Sequence, residues 1–119
     1  MPAHVQRAFV EGTAERAVLS EPMSAFRYHG GPSGQVGRWV SETAYESQRV
    51  ARYELALPHE WNSLSKVSQV ELPAGTTIWR GQAAPQISSS GRLYSGGGQQ
   101  IYIESELQSA WYRLLGRFR

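Results

Sequence analysis

The run Tyr94-Ser-Gly-Gly-Gly-Gln-Gln-Ile-Tyr-Ile103 combines three bare glycines, two carboxamides and an alternating apolar–aromatic triplet. Glycine is the residue used where a ligand must approach the main chain or where φ must be positive. A neutral amide at the mouth of such a turn can hydrogen-bond a sugar hydroxyl or a carboxamide without adding charge. The Ile101-Tyr102-Ile103 triplet reads as a buried strand. The run therefore points to a ligand site at a strand end, although a plain turn leading into a strand has the same composition. Strand alternation sends one of Gln99 and Gln100 inward and the other outward, so the two compete for the site.

The rest of the composition narrows the chemistry. The chain has no cysteine, which removes disulfides, thiolate nucleophiles and Cys-based zinc sites. His4, His29 and His59 lack ligand spacing and no acidic cluster accompanies them, so no metal is expected. The net charge of +2 and the lack of an aromatic–basic motif argue against nucleic-acid binding. Basic residues are almost all Arg, with Lys66 the single lysine, and every acid is Glu. Arg suits bidentate contacts to phosphate, but a genome rich in Arg codons gives the same bias.

These residues need elements to position them. At 119 residues the chain is read as one domain with a modest core. Val5, Ala8, Phe9, Ala14, Ala17 and Val18 predict one or two short helices before Pro22. Ala25–Tyr28 and Gly37–Ser41 read as short strands around the loop His29-Gly-Gly-Pro-Ser-Gly34, and residues 42–52 read as a short helix. From Val67 the texture is β, with strands at 67–72, 76–80 and 100–103 and a mobile loop over 85–91. Ser105 and Gln108 form a capping box, and Leu107, Ala110, Trp111, Leu114, Leu115 and Phe118 follow at helical spacing, so a C-terminal amphipathic helix is predicted. Trp79 and Trp111 are assigned to the core. The fold class is α+β: a compact, strongly bent set of short strands with helices beside it. No stretch has the length of a membrane span and no signal peptide is visible, so stable membrane insertion is not expected.

The order Val70-Glu-Leu-Pro-Ala-Gly75, Arg80-Gly-Gln-Ala-Ala-Pro-Gln86 and Gly96-Gly-Gly-Gln-Gln-Ile-Tyr102 resembles the C-terminal half of the tuberculosis-necrotizing-toxin family. These are NAD glycohydrolase domains at the ends of secreted and polymorphic bacterial toxins. Gly81, Ala84, Pro85 and Gly96 to Gly98 match the family's closing pattern, and Gln100 falls on its glutamine. Arg27-Tyr-His-Gly-Gly31 followed by Gly37-Arg-Trp39 is similar to its opening pattern. The resemblance spans Phe26 to Tyr102. It has no clear counterpart for a second phosphate-binding arginine, for which Arg49 and Arg52 both qualify.

The resemblance implies an ADP-ribosyltransferase-like fold and a toxin that hydrolyses NAD+ or NADP+ to nicotinamide and ADP-ribose or its phosphate, with no cofactor. The domain would be secreted or delivered as part of a larger protein, act in a target cell's cytoplasm during bacterial competition, and be held in check by a cognate immunity protein. Arg27 is the expected phosphate clamp and Gln100 the expected ribose contact. Tyr28 and Trp39 are candidates for stacking. Gly30, Gly31, Gly97 and Gly98 are candidate backbone contacts, and Arg38 and Arg80 are candidates for further phosphate contacts, although arginines on exposed strands are common. His29 would sit beside them. Glu104-Ser-Glu106 offers an alternative. The pair fits a helix N-terminus, but as a catalytic carboxylate pair it would make the protein a mono-ADP-ribosyltransferase acting on a macromolecule. A third reading is a non-catalytic binding or assembly module on the same scaffold.

Overall fold

The computed structural model of the protein describes residues 1–119. The chain runs through helix α1 (Ala3–Gln6) and strands β1 (Glu15–Val18), β2 (Met23–His29) and β3 (Trp39–Val40). Helix α2 (Gln48–Glu54) follows, then β4 (Lys66–Leu72), β5 (Thr77–Gln82), β6 (Gln86–Ile87), β7 (Leu93–Tyr94), β8 (Gln99–Ile103) and β9 (Tyr112–Arg117). One antiparallel sheet has the order β1-β5-β8-β3 and a second the order β2-β4-β9, while β6 and β7 form a separate hairpin. The architecture is α+β with strands predominating, and the sheets do not close into a barrel.

The two sheets meet where Phe26 and Ser41 exchange backbone bonds of 2.7 and 2.9 Å, so β2 hands the chain across to β3. Ala25, Val70 and Leu72 from one sheet pack on Ile78, Ile101 and Ile103 from the other, all at 0% exposure. Each buried Ile, Leu or Val contributes about 1.5–3 kcal/mol relative to exposure. A second cluster of Tyr28, Ala51, Leu55, Leu64 and Phe118 sits under α2. Trp111 packs against the edge of the main core, whereas Trp79 is only half-buried and turns its indole N–H to Glu104 at 2.9 Å.

The predicted C-terminal helix is absent. Residues Ser109–Trp111 form a single 3-10 turn, and the chain then extends as β9 along the edge of β4. The register between these strands shifts between Val67 and Ser68, where Leu115 is the extra residue. That bulge breaks the alternation and leaves Leu114 and Leu115 exposed together, which mimicked a helical stripe in the sequence. Gly116 at φ +144 also suits an irregular strand, not a helix. Ser105 does not cap a helix: its hydroxyl accepts the Thr77 N–H at 2.8 Å. At the N-terminus the predicted helical region is helical only over α1, and its second half is β1. The helix predicted over 42–52 starts later, at Ser47, whose hydroxyl accepts the Val50 N–H at 3.3 Å.

Candidate functional site

Arg27 lies on β2 with its side chain buried against the loop that leads to β3. The guanidinium donates through Nε and Nη2 to the Gly34 carbonyl at 3.1 and 2.9 Å, through Nη2 to the Ser33 hydroxyl at 2.9 Å, and through Nη1 to the Trp39 carbonyl at 2.9 Å. Four of its five donors are so fixed. All three acceptors, the Gly34 and Trp39 carbonyls and the Ser33 hydroxyl, are neutral, and neither ion pair of the protein, Arg16–Glu104 or Arg80–Glu42, involves it. Burial pulls its pKa down from the ordinary value, with no carboxylate to restore it. The same loop depends on Gly37, where a Cβ would stand 2.3 Å from Arg27 Cζ. The Tyr112 hydroxyl donates to the Gly37 carbonyl at 2.6 Å and holds that close approach in place.

Gln100 lies on β8 opposite Gly81. Its Nε2 donates to the Ala8 carbonyl at 2.8 Å. A carbonyl can only accept, so this bond fixes the amide orientation and leaves Oε1 as a free acceptor. The pleat separates the two glutamines. Gln99 turns to the other face, where its Oε1 accepts from the Ser41 hydroxyl at 3.1 Å and the Glu42 N–H at 3.0 Å.

Arg27 and Gln100 line one cavity of about 420 Å³, a volume suited to a small-molecule ligand. Tyr28 and Trp39 line it too. Trp39 is wedged between Phe9 and Tyr102, at centroid distances of 5.5 and 5.0 Å, and the Tyr28 hydroxyl bridges the Thr43 carbonyl and the Tyr45 N–H. These contacts lock both rings as a rigid aromatic wall.

The other candidates lie outside this cavity. The glycine run is spent on the protein itself. The Gly96, Gly97 and Gly98 N–H groups donate to the carbonyls of Tyr53, Ala83 and Glu54 at 2.8, 2.8 and 2.9 Å. Gly30 donates to Ser33 at 2.9 Å and admits Ser63 and Ser65, whose hydroxyls would stand 2.3 Å from a Cβ; Gly31 adopts φ +59 in the turn. Arg38 closes over the carbonyls of Ile103 and Ser105 at 2.8 and 3.0 Å, and Arg80 pairs with Glu42 at 3.6 Å. His29 is buried on Ser68 at 2.9 Å, and burial pulls its pKa down. Arg49 and Arg52 face a separate cleft. Glu104 is bound by Arg16 at 2.7 Å and by the Trp79 indole, which hold its carboxyl at about 2, and neither Glu104 nor Glu106 lines the cavity.

Three parts of the cavity were not read as site residues from the sequence. His4, Arg7 and Ala8 come from α1 and the turn after it, which lie across the end of β5 because Gly81 lets Phe9 and Thr13 approach within 3.0 Å of a notional Cβ. Ser33 adds a hydroxyl beside Arg27. Leu57, Trp61 and Asn62 come from the segment between α2 and β4. That segment is entered and left through Ala56 at φ 51 and Leu64 at φ 54, left-handed conformations that cost energy for non-glycine residues. Arg52 overcomes the strain by donating to the carbonyls of Leu57, Asn62 and Ser63 at 2.9, 2.8 and 3.0 Å.

The fold is similar to that of a chain in the solved structure of Tne2 in complex with Tni2. A chain of that solved structure superposes with a TM-score of 0.71 at 21% identity, over 93% of this chain and 98% of that chain. The fold is shared across nearly the whole length of both chains. No family model matches the sequence, and no curated protein matches it either.

Proposed function

We propose that the chain is the catalytic domain of a toxin that hydrolyses NAD+ or NADP+ to nicotinamide and ADP-ribose or its phosphate. The observation that carries this reading is the convergence of Arg27 and Gln100 on one cavity. One is a buried cation with no counter-ion and the other an oriented amide oxygen. A pyrophosphate supplies the missing negative charge beside Arg27, whose remaining Nη1 donor is free for it. The Gln100 Oε1 accepts a ribose hydroxyl. The Trp39–Tyr28 wall packs against the nicotinamide end.

In the reaction the ribose–nicotinamide bond breaks and its electron pair returns to the ring nitrogen, so nicotinamide leaves neutral. Positive charge moves to the ribose, and water adds at the anomeric carbon and gives up a proton. The protein's part is to hold the ribose and pyrophosphate still and to place the Gln100 dipole against the developing oxocarbenium ion. No side chain need act as a nucleophile.

The ADP-ribosyltransferase reading asks Glu104 or Glu106 to reach the ribose. Glu104 is committed to Arg16 and Trp79, away from the cavity, which favours water as the acceptor. A cognate inhibitor that blocks the cavity fits the same reading, because the neighbour of similar fold is solved in complex with a second protein. Delivery into a target cell belongs to this proposal as well. The test is to incubate NAD+ with the purified protein and with a cell lysate, following free nicotinamide and label retained on macromolecules. Stoichiometric nicotinamide with free ADP-ribose is expected. Intact NAD+, or label carried on protein or nucleic acid, would overturn the reading.

A further inference from the structure

Arg49, Arg52, Arg92 and Arg119 converge on a second cleft of about 650 Å³, with His59 at its wall and no acidic residue lining it. The guanidinium groups come from α2, from the turn between β6 and β7 and from the last residue after β9. None of them takes part in an ion pair, since the two in the protein are Arg16–Glu104 and Arg80–Glu42. Arg52 is 4% exposed and its bonds all go to neutral carbonyls. Burial pulls its pKa down without a carboxylate to offset it. A buried, unneutralised guanidinium is costly, and an anion in the cleft removes that cost.

Tyr53 and Tyr94 form a ring pair at 5.1 Å along the same wall, and the Arg92 guanidinium reaches the Tyr53 hydroxyl at 3.4 Å. The site is therefore concave, multiply cationic and aromatic on one side. One carboxylate would neutralise one of four guanidinium groups. A chain of phosphates carries several charges and matches the planar donor fork of Arg.

We propose that this cleft is a binding site for an oligophosphate anion, distinct from the cavity that holds Arg27 and Gln100. The phosphate chain can come free or on a nucleoside, and the half-buried Tyr53 ring, backed by the buried Tyr94, offers a stacking surface to the latter. Inorganic tripolyphosphate and ATP are the two probes, titrated calorimetrically into the full chain and into an Arg49→Ala/Arg92→Ala variant. Both residues are exposed, so the variant is expected to keep its melting temperature. Saturable one-to-one binding of tripolyphosphate is expected, weakened at least tenfold in the variant and falling as salt is raised. Tighter binding of ATP than of tripolyphosphate identifies a nucleotide as the source, and equal binding identifies the phosphate chain alone. Absence of saturable binding, or binding unchanged in the variant, overturns the proposal. So does a loss of NAD+ turnover in the variant, because the cleft would then be part of the substrate site. A single Arg119→Ala chain, expected to lose affinity by a smaller factor, gives an independent reading if the double variant melts early.

Discussion

Gly37 lines no part of the cavity, yet replacing it with alanine is expected to damage the site through Arg27. A methyl carbon there would stand 2.3 Å from Arg27 Cζ and Nη2 and 2.8 Å from Nε. Ordinary carbon contacts begin near 3.5 Å, so the guanidinium must retreat by ~1.2 Å. Bonds of 2.9 Å from Nη2 to Gly34 and Ser33 do not survive such a shift. Two charge-assisted bonds lost cost about 3 kcal/mol. For a domain of this size that corresponds to a melting temperature roughly 10 °C lower. A catalytic contact misplaced by 1 Å costs on the order of 100-fold in rate, so kcat/KM for NAD+ is expected to fall by about that factor. The control is Gly34→Ala in the same loop, where a Cβ has no neighbour within 4 Å and the Gly34 carbonyl is kept. That variant is expected to match the wild type in both melting and turnover. The reasoning fails if Gly37→Ala melts and turns over like Gly34→Ala.

Two further substitutions probe other parts of the account. Glu104→Gln is expected to leave nicotinamide release unchanged while altering acid stability. The Glu104 carboxyl is held at about 2 against an ordinary 4.5, so its contribution is complete above pH 4.5 and is lost as pH falls toward 2. Thermal melts across that window should therefore drop more steeply for the wild type than for the variant, and parallel curves would refute the assignment. Gly98→Ala puts a Cβ 2.5 Å from the Tyr45 hydroxyl and 2.9 Å from the Glu54 carbonyl oxygen, which as backbone cannot swing away. A loss of about 1–3 kcal/mol in a urea melt is expected from this overpacking, and an unchanged midpoint would contradict it.

The strands that build the site were legible because their chemistry is local. Ala25–Tyr28, Val67–Leu72 and Gln100–Ile103 carry β-branched and aromatic residues between glycine or proline turns, and each appears within a residue or two of its expected limits. The convergence of Arg27 and Gln100 was inferred from a family pattern, not from spacing. The C-terminal strand was hidden because Leu114 and Leu115 flank a bulge, and the open edge of β4 outweighs the helix propensity of a short segment. The fate of the glycine run was also hidden. Bare N–H groups announce that something will approach, but only the fold shows that the carbonyls of Tyr53, Ala83 and Glu54 take them. Likewise nothing local in Arg52 announces that it anchors a strained loop; its three carbonyl partners lie up to eleven positions away.

The central claim is that an oriented carboxamide and a buried guanidinium act on one dinucleotide. Nicotinamide release by the wild type beside Gln100→Ala tests it most directly. Losing one preorganised dipole at the reacting ribose is expected to lower kcat by about 100- to 1,000-fold, while NAD+ still raises the melting temperature of the variant through Arg27. Equal rates for the two proteins, or no release by either, would contradict the account.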